Sequence, residues 1–292
     1  MQQLLGDPGT WKQWASTLAR FPTYSPGNAL LIMAQRPDAT YVAGYHAWQK
    51  LGRQVQKGER GISILAPVTY RVPAEEASPS DATAAVRQVV AFKAVTVFAL
   101  EQTQGAPLQL PRATPLQGDT MGQLLSHLMG VPGVPVRFGD TGPAYGVWNP
   151  ATQEITLRQD AAADQHLKTL LHEWSHSLGM ATLEQARHRH VGLEEVTAET
   201  TAYVMAQAMG LNTHGYSQGY VAGWADGDPK KVAGVVQEVG RRVHHMVTQI
   251  EQAAQHNAAL MPVAARFHGP QGDSATERVT AARKARTDEL AI

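Results

Sequence analysis

His172-Glu173-Trp174-Ser175-His176 decides how the rest of this chain is read, because two imidazoles one helical turn apart with a carboxylate beside them are a spacing that suits metal-assisted hydrolysis. At about 100° and about 1.5 Å per residue, positions four apart lie one above the other on a helix face, so both rings reach one ion at about 2.0–2.1 Å from each nitrogen. Glu173 follows His172 directly and lies beside that ion, where it can take a proton from a water polarised by the metal and hand it to a leaving amine. Leu167, Leu170, Leu171, Trp174 and Leu178 recur at three- and four-residue steps, which predicts an amphipathic helix. Asp160 is placed to cap its start and Gly179 to end it.

A catalytic zinc takes a third protein ligand and keeps an open position. A third histidine six residues beyond the second is ruled out, because Thr182 stands there. Glu194-Glu195-Val196-Thr197-Ala198-Glu199 opens the next helical stretch, which runs through Tyr203 to Gly210, and we take Glu195 as the ligand. Glu199, four residues on, shares its face and suits a hydrogen bond to a ligand imidazole, with the two glutamates' roles exchangeable at this stage. Glu194 points about 100° away and is expected in solvent. His188 and His190, in the intervening loop, are expected in solvent, with one of them as the lesser alternative to Glu195 as ligand. His214, Tyr216 and Tyr220 are candidate donors to a developing oxyanion. Zinc suits a His/His/Glu set, which also tolerates manganese or iron.

The chain has 292 residues, formal charge zero and no cysteine. Disulfides and thiolate metal sites are thereby excluded, and any metal must be held by histidine and carboxylate. The absence of an apolar run of membrane-spanning length and the short, polar opening fit a cytoplasmic protein with no membrane partner. Charge is uneven along the chain. Eight cations (Lys12, Arg20, Arg36, Lys50, Arg53, Lys57, Arg60, Arg71) face three acids (Asp7, Asp38, Glu59) in the first seventy-odd residues.

Trp11 to Phe21 and the stretch from Pro26 through Met33 predict helices, and Gly61 to Val72 and Val89 to Leu100 predict strands. Pro107, Pro111 and Pro115 mark a linker. Beyond it, Asp119 to Met129 predicts a helix, Val134 to Phe138 and Gln153 to Leu157 short strands. Asp228-Pro229 opens a long helix with Val232, Val235, Val236, Val239, Val243 and Met246 on its apolar face. The expected class is α+β, divided into a small N-terminal α+β domain at 1–105, a linker at 106–118, a mainly helical domain with the metal motif at 119–261 and a disordered tail at 262–292.

Tyr24-Ser25-Pro26-Gly27-Asn28-Ala29-Leu30-Leu31-Ile32, Gln35-Arg36-Pro37-Asp38-Ala39-Thr40, Trp48-Gln49-Lys50-Leu51-Gly52-Arg53-Gln54-Val55 and Gly58-Glu59-Arg60-Gly61-Ile62 follow in order. In that order they resemble the N-terminal domain of ArdC-type antirestriction proteins, which the resemblance implies to be a single-stranded DNA-binding domain. Leu170-Leu171-His172-Glu173-x-x-His176 with Glu194-Glu195-x-x-Ala198-Glu199-x-x-Ala202 resembles the metallopeptidase domain that follows it, a zincin-like unit related to the ImmA/IrrE peptidases and gluzincin-like in its ligands. The likeness covers most of residues 10 to 250.

A single strand is held by cations that track phosphates and by aromatic faces on which bases stack. Arg36, Arg53, Lys57 and Arg60 suit the first role, and Tyr24, Tyr41, Tyr45 and Trp48 the second, while Asn28 joins the DNA-binding set through the motif that contains it. The expected function is a metal-dependent, single-stranded-DNA-binding, peptidase-like protein in antirestriction or DNA protection, acting on an unknown protein substrate. The alternative is a cytoplasmic zinc endopeptidase cleaving a regulatory protein without DNA. A third reading makes the metal purely structural, which its three-ligand set disfavours.

Overall fold

A computed structural model describes residues 7–71, 87–108, 119–180, 191–211 and 228–268. In chain order the elements are α1 (Pro8–Arg20), α2 (Pro26–Gln35), β1 (Val42–Ala43), α3 (Tyr45–Lys50), β2 (Arg53–Val55), β3 (Ile62–Arg71), β4 (Arg87–Ala99) and β5 (Thr103–Gly105). There follow α4 (Asp119–Leu128), β6 (Val136–Gly139), β7 (Gly146–Asn149), β8 (Glu154–Arg158), α5 (Ala163–Gly179), α6 (Val191–Ala208), α7 (Pro229–Ala254) and α8 (Met261–Phe267). The chain is thus of mixed helix and sheet, as the α+β expectation has it.

These residues form two compact units, one joining the chain up to Met33 with Gln109–Pro270 and the other containing Ala34–Leu108. In the first, Asp7 caps α1 by accepting the Thr10 N–H at 2.8 Å, with Pro8 in the first turn where no amide partner is lost. Trp11, Trp14 and Leu18 line one face of α1 and are almost wholly buried. Each such side chain contributes roughly 1.5–3 kcal/mol on leaving water. That face docks on α6, where Trp11 Nε1–H donates to Thr200 Oγ1 at 3.2 Å and the Ser16 and Tyr203 hydroxyls share a hydrogen bond of 2.9 Å. Helix α1 and the start of α2, read from sequence with the N-terminal domain, therefore pack in the unit that contains the metal motif. The apolar stripe of α1 was legible; the surface that buries it was not.

The core of this unit is built by Leu167, Leu170, Leu171 and Trp174 of α5, Val204 and Met205 of α6, and Val239, Val243, Met246 and Ile250 of α7. The three-stranded sheet, ordered β6-β8-β7, adds Ile155 and Leu157. Strand β6 runs parallel to β8 and β7 antiparallel to it. Strand β7 is missing from the sequence reading, because Trp148 is its sole large apolar residue on the buried side and the neighbouring Val147 breaks the alternation. Gly146 lets β7 cross closely over α5, since a Cβ there would strike the Thr169 side chain.

Asp160 does not cap α5. The N-cap position belongs to Ala162, which has no capping side chain, and Asp160 instead accepts from Arg158 Nε at 2.6 Å. The Arg158 contact holds the Asp160 carboxyl below its usual range. The cap of α7 follows expectation: Asp228 accepts the Lys230 N–H at 2.8 Å ahead of Pro229. The segment expected as a tail from 262 begins within α8, where Val263 and Phe267 are buried; residues 269–292 lie outside the described set.

In the second unit β4 pairs with β1 and β3, and β2 with β5, all antiparallel. Ile62, Ile64 and Ala66 of β3 and Val97 of β4 are buried on one face of the long hairpin, while Leu65 and Phe92 stand exposed on the other. Gln35 fixes the start of β3 through its amide, donating to Ser63 O and accepting the Ser63 N–H at 2.9 Å each. Gln102, buried, closes the turn after β4 by accepting the Ala99 N–H at 2.9 Å and donating to Glu59 and Arg60 O at 2.8 Å.

Candidate metal centre

Helix α5 carries His172 and His176 one turn apart, their ring centroids 4.6 Å from each other and their planes 80° apart. The two Nε2 atoms approach to 3.0 Å. Glu195 of α6 lies across from both, its Oε2 3.5 Å from His172 Nε2 and its Oε1 3.4 Å from His176 Nε2. One ligand atom from each of these three residues falls within a sphere of mutual separation of 4.8 Å.

Each histidine is backed by a separate carboxylate on its other nitrogen. His172 Nδ1 faces Glu199 Oε2 at 3.3 Å, and His176 Nδ1 faces Glu194 Oε1 at 3.2 Å. A carboxylate on Nδ1 draws the proton to that nitrogen, so each Nε2 presents its lone pair to the other and to Glu195. Converging lone pairs repel unless a cation lies between them. Two imidazole nitrogens and one carboxylate are the donor set of a catalytic zinc site that keeps a fourth position for water or substrate, and the residues present fit such an ion.

The carboxylates gathered here favour positive charge at this point, which a metal ion on the two Nε2 atoms or a proton on each ring can supply. Burial pushes the His172 pKa down, but the Glu195 and Glu199 carboxylates outweigh it and lift it to about 10. At His176 burial acts in the same sense and is outweighed by Glu194 and Glu195. The two imidazoles in turn hold Glu195 well below the usual carboxylate range against its partial burial. Glu173 adds negative charge that raises both histidines. It is itself buried, and its Oε2 accepts the Trp148 N–H of β7 at 2.7 Å.

Glu194 is not in solvent. Its side chain is 3% exposed and Arg242 of α7, fully buried, donates to both of its oxygens at 2.8 Å. Arg242 also donates to Ser175 Oγ at 3.0 Å and, through Nε, to Glu238 at 3.1 Å. The reading of Glu194 as solvated placed it correctly about 100° around α6 from Glu195, but that direction faces α5 and α7. A signal was present: Arg242 sits beside Val239, Val243 and Met246 on an apolar stripe, and a cation there needs a buried acid. His188, His190, His214, Tyr216 and Tyr220 lie outside the described residues.

The residues read as DNA-binding fall in both units. Tyr24 is half-buried and Asn28 is 9% exposed, with its N–H donated to Ser25 Oγ at 3.2 Å, both in the unit of the metal centre. In the other unit Arg36 pairs with Asp38 at 3.1 Å and lies 3.8 Å from Glu59. Arg53 donates to Thr103 Oγ1 and to the Thr103, Gly105 and Ala106 carbonyls, which makes it a clip on the β2-β5 ribbon. Trp48 is 1% exposed and its Nε1–H donates to Phe98 O at 2.8 Å, so its ring is core and presents no stacking face. Lys57 and Arg60 are exposed. Tyr45 is 39% exposed and Phe92, which the sequence reading did not single out, is 66% exposed. Alternation along β4 puts Phe92 opposite Val97's face and could have flagged it.

Residues 7–98 match the N-terminal domain of anti-restriction factor ArdC. An uncharacterised protein of Bacillus anthracis is 25% identical over 264 residues, covering 74% of this chain and 43% of its own length. DNA primase TraC of Escherichia coli is 26% identical over 275 residues, covering 85% of this chain and 18% of its own length. The chain therefore spans less than half of either relative. Crystal structures of the antirestriction protein ArdC from plasmid R388 align with a TM-score of 0.47 in both metal-free and Mn(II)-bound forms. The metal-free form is 22% identical and covers 82% of this chain and 85% of its own; the Mn(II)-bound form is 21% identical and covers 88% and 99%. Among the described residues no helix is long and apolar enough to cross a membrane.

Proposed function

We propose that this chain is a metal-dependent, peptidase-like protein that also binds single-stranded DNA and serves DNA protection of the antirestriction kind. The observation that carries the hydrolytic half is the convergence of His172, His176 and Glu195, with Glu173 on the same helix turn. The match of residues 7–98 to the N-terminal domain of anti-restriction factor ArdC supports the DNA half.

His172, His176 and Glu195 would hold a divalent ion, zinc by the preference of the donor set with manganese or iron as alternatives, and Glu194 and Glu199 would orient the two imidazoles. Such an ion supplies Lewis acidity and lowers the pKa of a water in its open position. Glu173 does the proton work: with Oε2 fixed by the Trp148 amide, Oε1 accepts a proton from the nucleophile and returns it to the departing amine of a peptide substrate. Burial of Glu173 beside Trp174 and Trp148 keeps bulk water from competing for that proton. On the DNA side, Lys57 and Arg60 supply exposed cations and Tyr45 and Phe92 exposed rings, the chemistry that phosphates and unpaired bases need.

Glu173→Gln tests the hydrolytic half. It should retain metal while peptide cleavage falls by about 10²–10⁴-fold, the usual share of a positioned general base. Cleavage unchanged by the substitution rejects Glu173 as the base. Fluorescence anisotropy with labelled oligonucleotides in rising salt tests the other half, and the absence of salt-sensitive binding removes it in favour of a peptidase without DNA.

A further inference from the structure

Two imidazoles face the same point, yet they are held in different ways. Glu199, which backs His172, has a quarter of its side chain exposed, whereas Glu194, which backs His176, is sealed behind α5 and α7. Holding a carboxylate there requires a partner of opposite charge, and Arg242 fills that need with both Nη atoms on the two Glu194 oxygens. The packing around this pair leaves no slack. Gly179, the last residue of α5, sits against the guanidinium so closely that a Cβ would run into Arg242 Nη2 and lie 2.8 Å from Glu194 Oε1. Ser175 and Glu238 occupy further Arg242 donors.

We infer that Arg242 is a positioning residue for the metal centre: it fixes Glu194 in the rotamer that accepts the His176 Nδ1–H, and so sets how tightly His176 holds the ion. This deepens the metal-site reading above and rests on it. Three features of the geometry support it. The bidentate fork fixes the plane of the Glu194 carboxylate, not merely its charge. Oε1 of Glu194 is shared between Arg242 and His176, so movement of the guanidinium is passed to the ring. The absence of a side chain at Gly179 is what admits the guanidinium to this position. Outer hydrogen-bond partners of ligand histidines commonly contribute a 10–100-fold share of metal affinity.

The test is titration of the full-length, metal-stripped protein with Co²⁺, followed by its visible absorption, with thermal unfolding of the metal-free form measured in parallel. Arg242→Met should weaken Co²⁺ binding about 10–100-fold and alter the absorption of the bound ion, which reports ligand geometry. Arg242→Lys keeps a charge but loses the fork and should lie between Arg242→Met and the native protein. The double variant Arg242→Met with Glu194→Gln removes both buried charges together, and its amide oxygen can still accept the His176 Nδ1–H, so it should fold and recover part of the affinity. It serves where Arg242→Met alone is too unstable to titrate. Native Co²⁺ affinity and absorption in a folded Arg242→Met or Arg242→Lys protein would overturn the inference, whatever the loss in thermal stability. Failure of the native protein to bind Co²⁺, or binding that survives His176→Ala, would overturn the metal-site reading and this inference with it.

Discussion

The two compact units place their charged side chains under opposite constraints. In the unit built on α5, α6 and α7, Arg242 is 0% and Glu194 3% exposed, and His176 is 6% exposed, so each must be fully partnered to remain in the fold. In the unit built on β3 and β4, Lys57 and Arg60 stand in solvent and nothing in packing fixes where they sit. Arg53 shows the intermediate case, a cation diverted from the surface into three backbone carbonyls. Buried charge carries its geometry with it, whereas exposed charge takes its meaning from a partner. A spacing motif can therefore reveal the first kind, while composition reveals only that the second exists.

The sharpest way to break this contrast is at Trp48, the aromatic that the sequence assigns to the surface chemistry and the packing assigns to the core. Trp48→Ala removes a ring 1% exposed and its hydrogen bond to Phe98, and should destabilise the β3-β4 unit by about 3–5 kcal/mol, read as a lower urea midpoint. If DNA affinity falls while the urea midpoint stays native, the ring is a stacking face after all.

The buried side of the comparison is sharpened by acid. Burial raises the Glu238 pKa, but Arg241 and Arg242 outweigh it and bring it down to about 2 from 4.5. A carboxyl depressed in the folded state stabilises above its unfolded pKa and loses that contribution as pH falls through the folded one. The native protein should therefore lose its stability advantage over Glu238→Gln as pH falls from about 4.5 toward about 2. Denaturant titration of both proteins across that range measures it, and a gap that widens on acidification contradicts the assignment.

The smallest effects belong to the exposed cations. Lys57→Ala and Arg60→Ala should each leave stability within about 0.5 kcal/mol of native. If each meets one phosphate, each should weaken oligonucleotide binding and lower the slope of log affinity against log salt by about one. Unchanged slopes would place the DNA contacts elsewhere on the chain.

The elements legible in the sequence followed from local periodicity. The stripe through Leu167, Leu170, Leu171 and Trp174 gave α5, Asp228-Pro229 gave the start of α7, and the β-branched runs gave β3 and β4. Short elements escaped: β2 and β5 have three residues each, too few for a period to show, and the apolar residues of β7, Val147 and Trp148, are adjacent and do not alternate. Asp160 carries a capping side chain but lies two residues before the N-cap Ala162, and its carboxylate accepts from Arg158 instead.

At the candidate centre, the four-residue step by itself determined that His172 and His176 share a face with Glu173 beside them, since helix geometry is fixed by the backbone alone. Tertiary structure alone decided that Glu195 meets both rings, that Glu194 and not a solvent shell backs His176, and that α1 packs on α6. Those facts depend on how helices distant in sequence are rotated against one another. That rotation is set by the simultaneous burial of their apolar faces and of the Arg242 guanidinium, a condition no single segment contains.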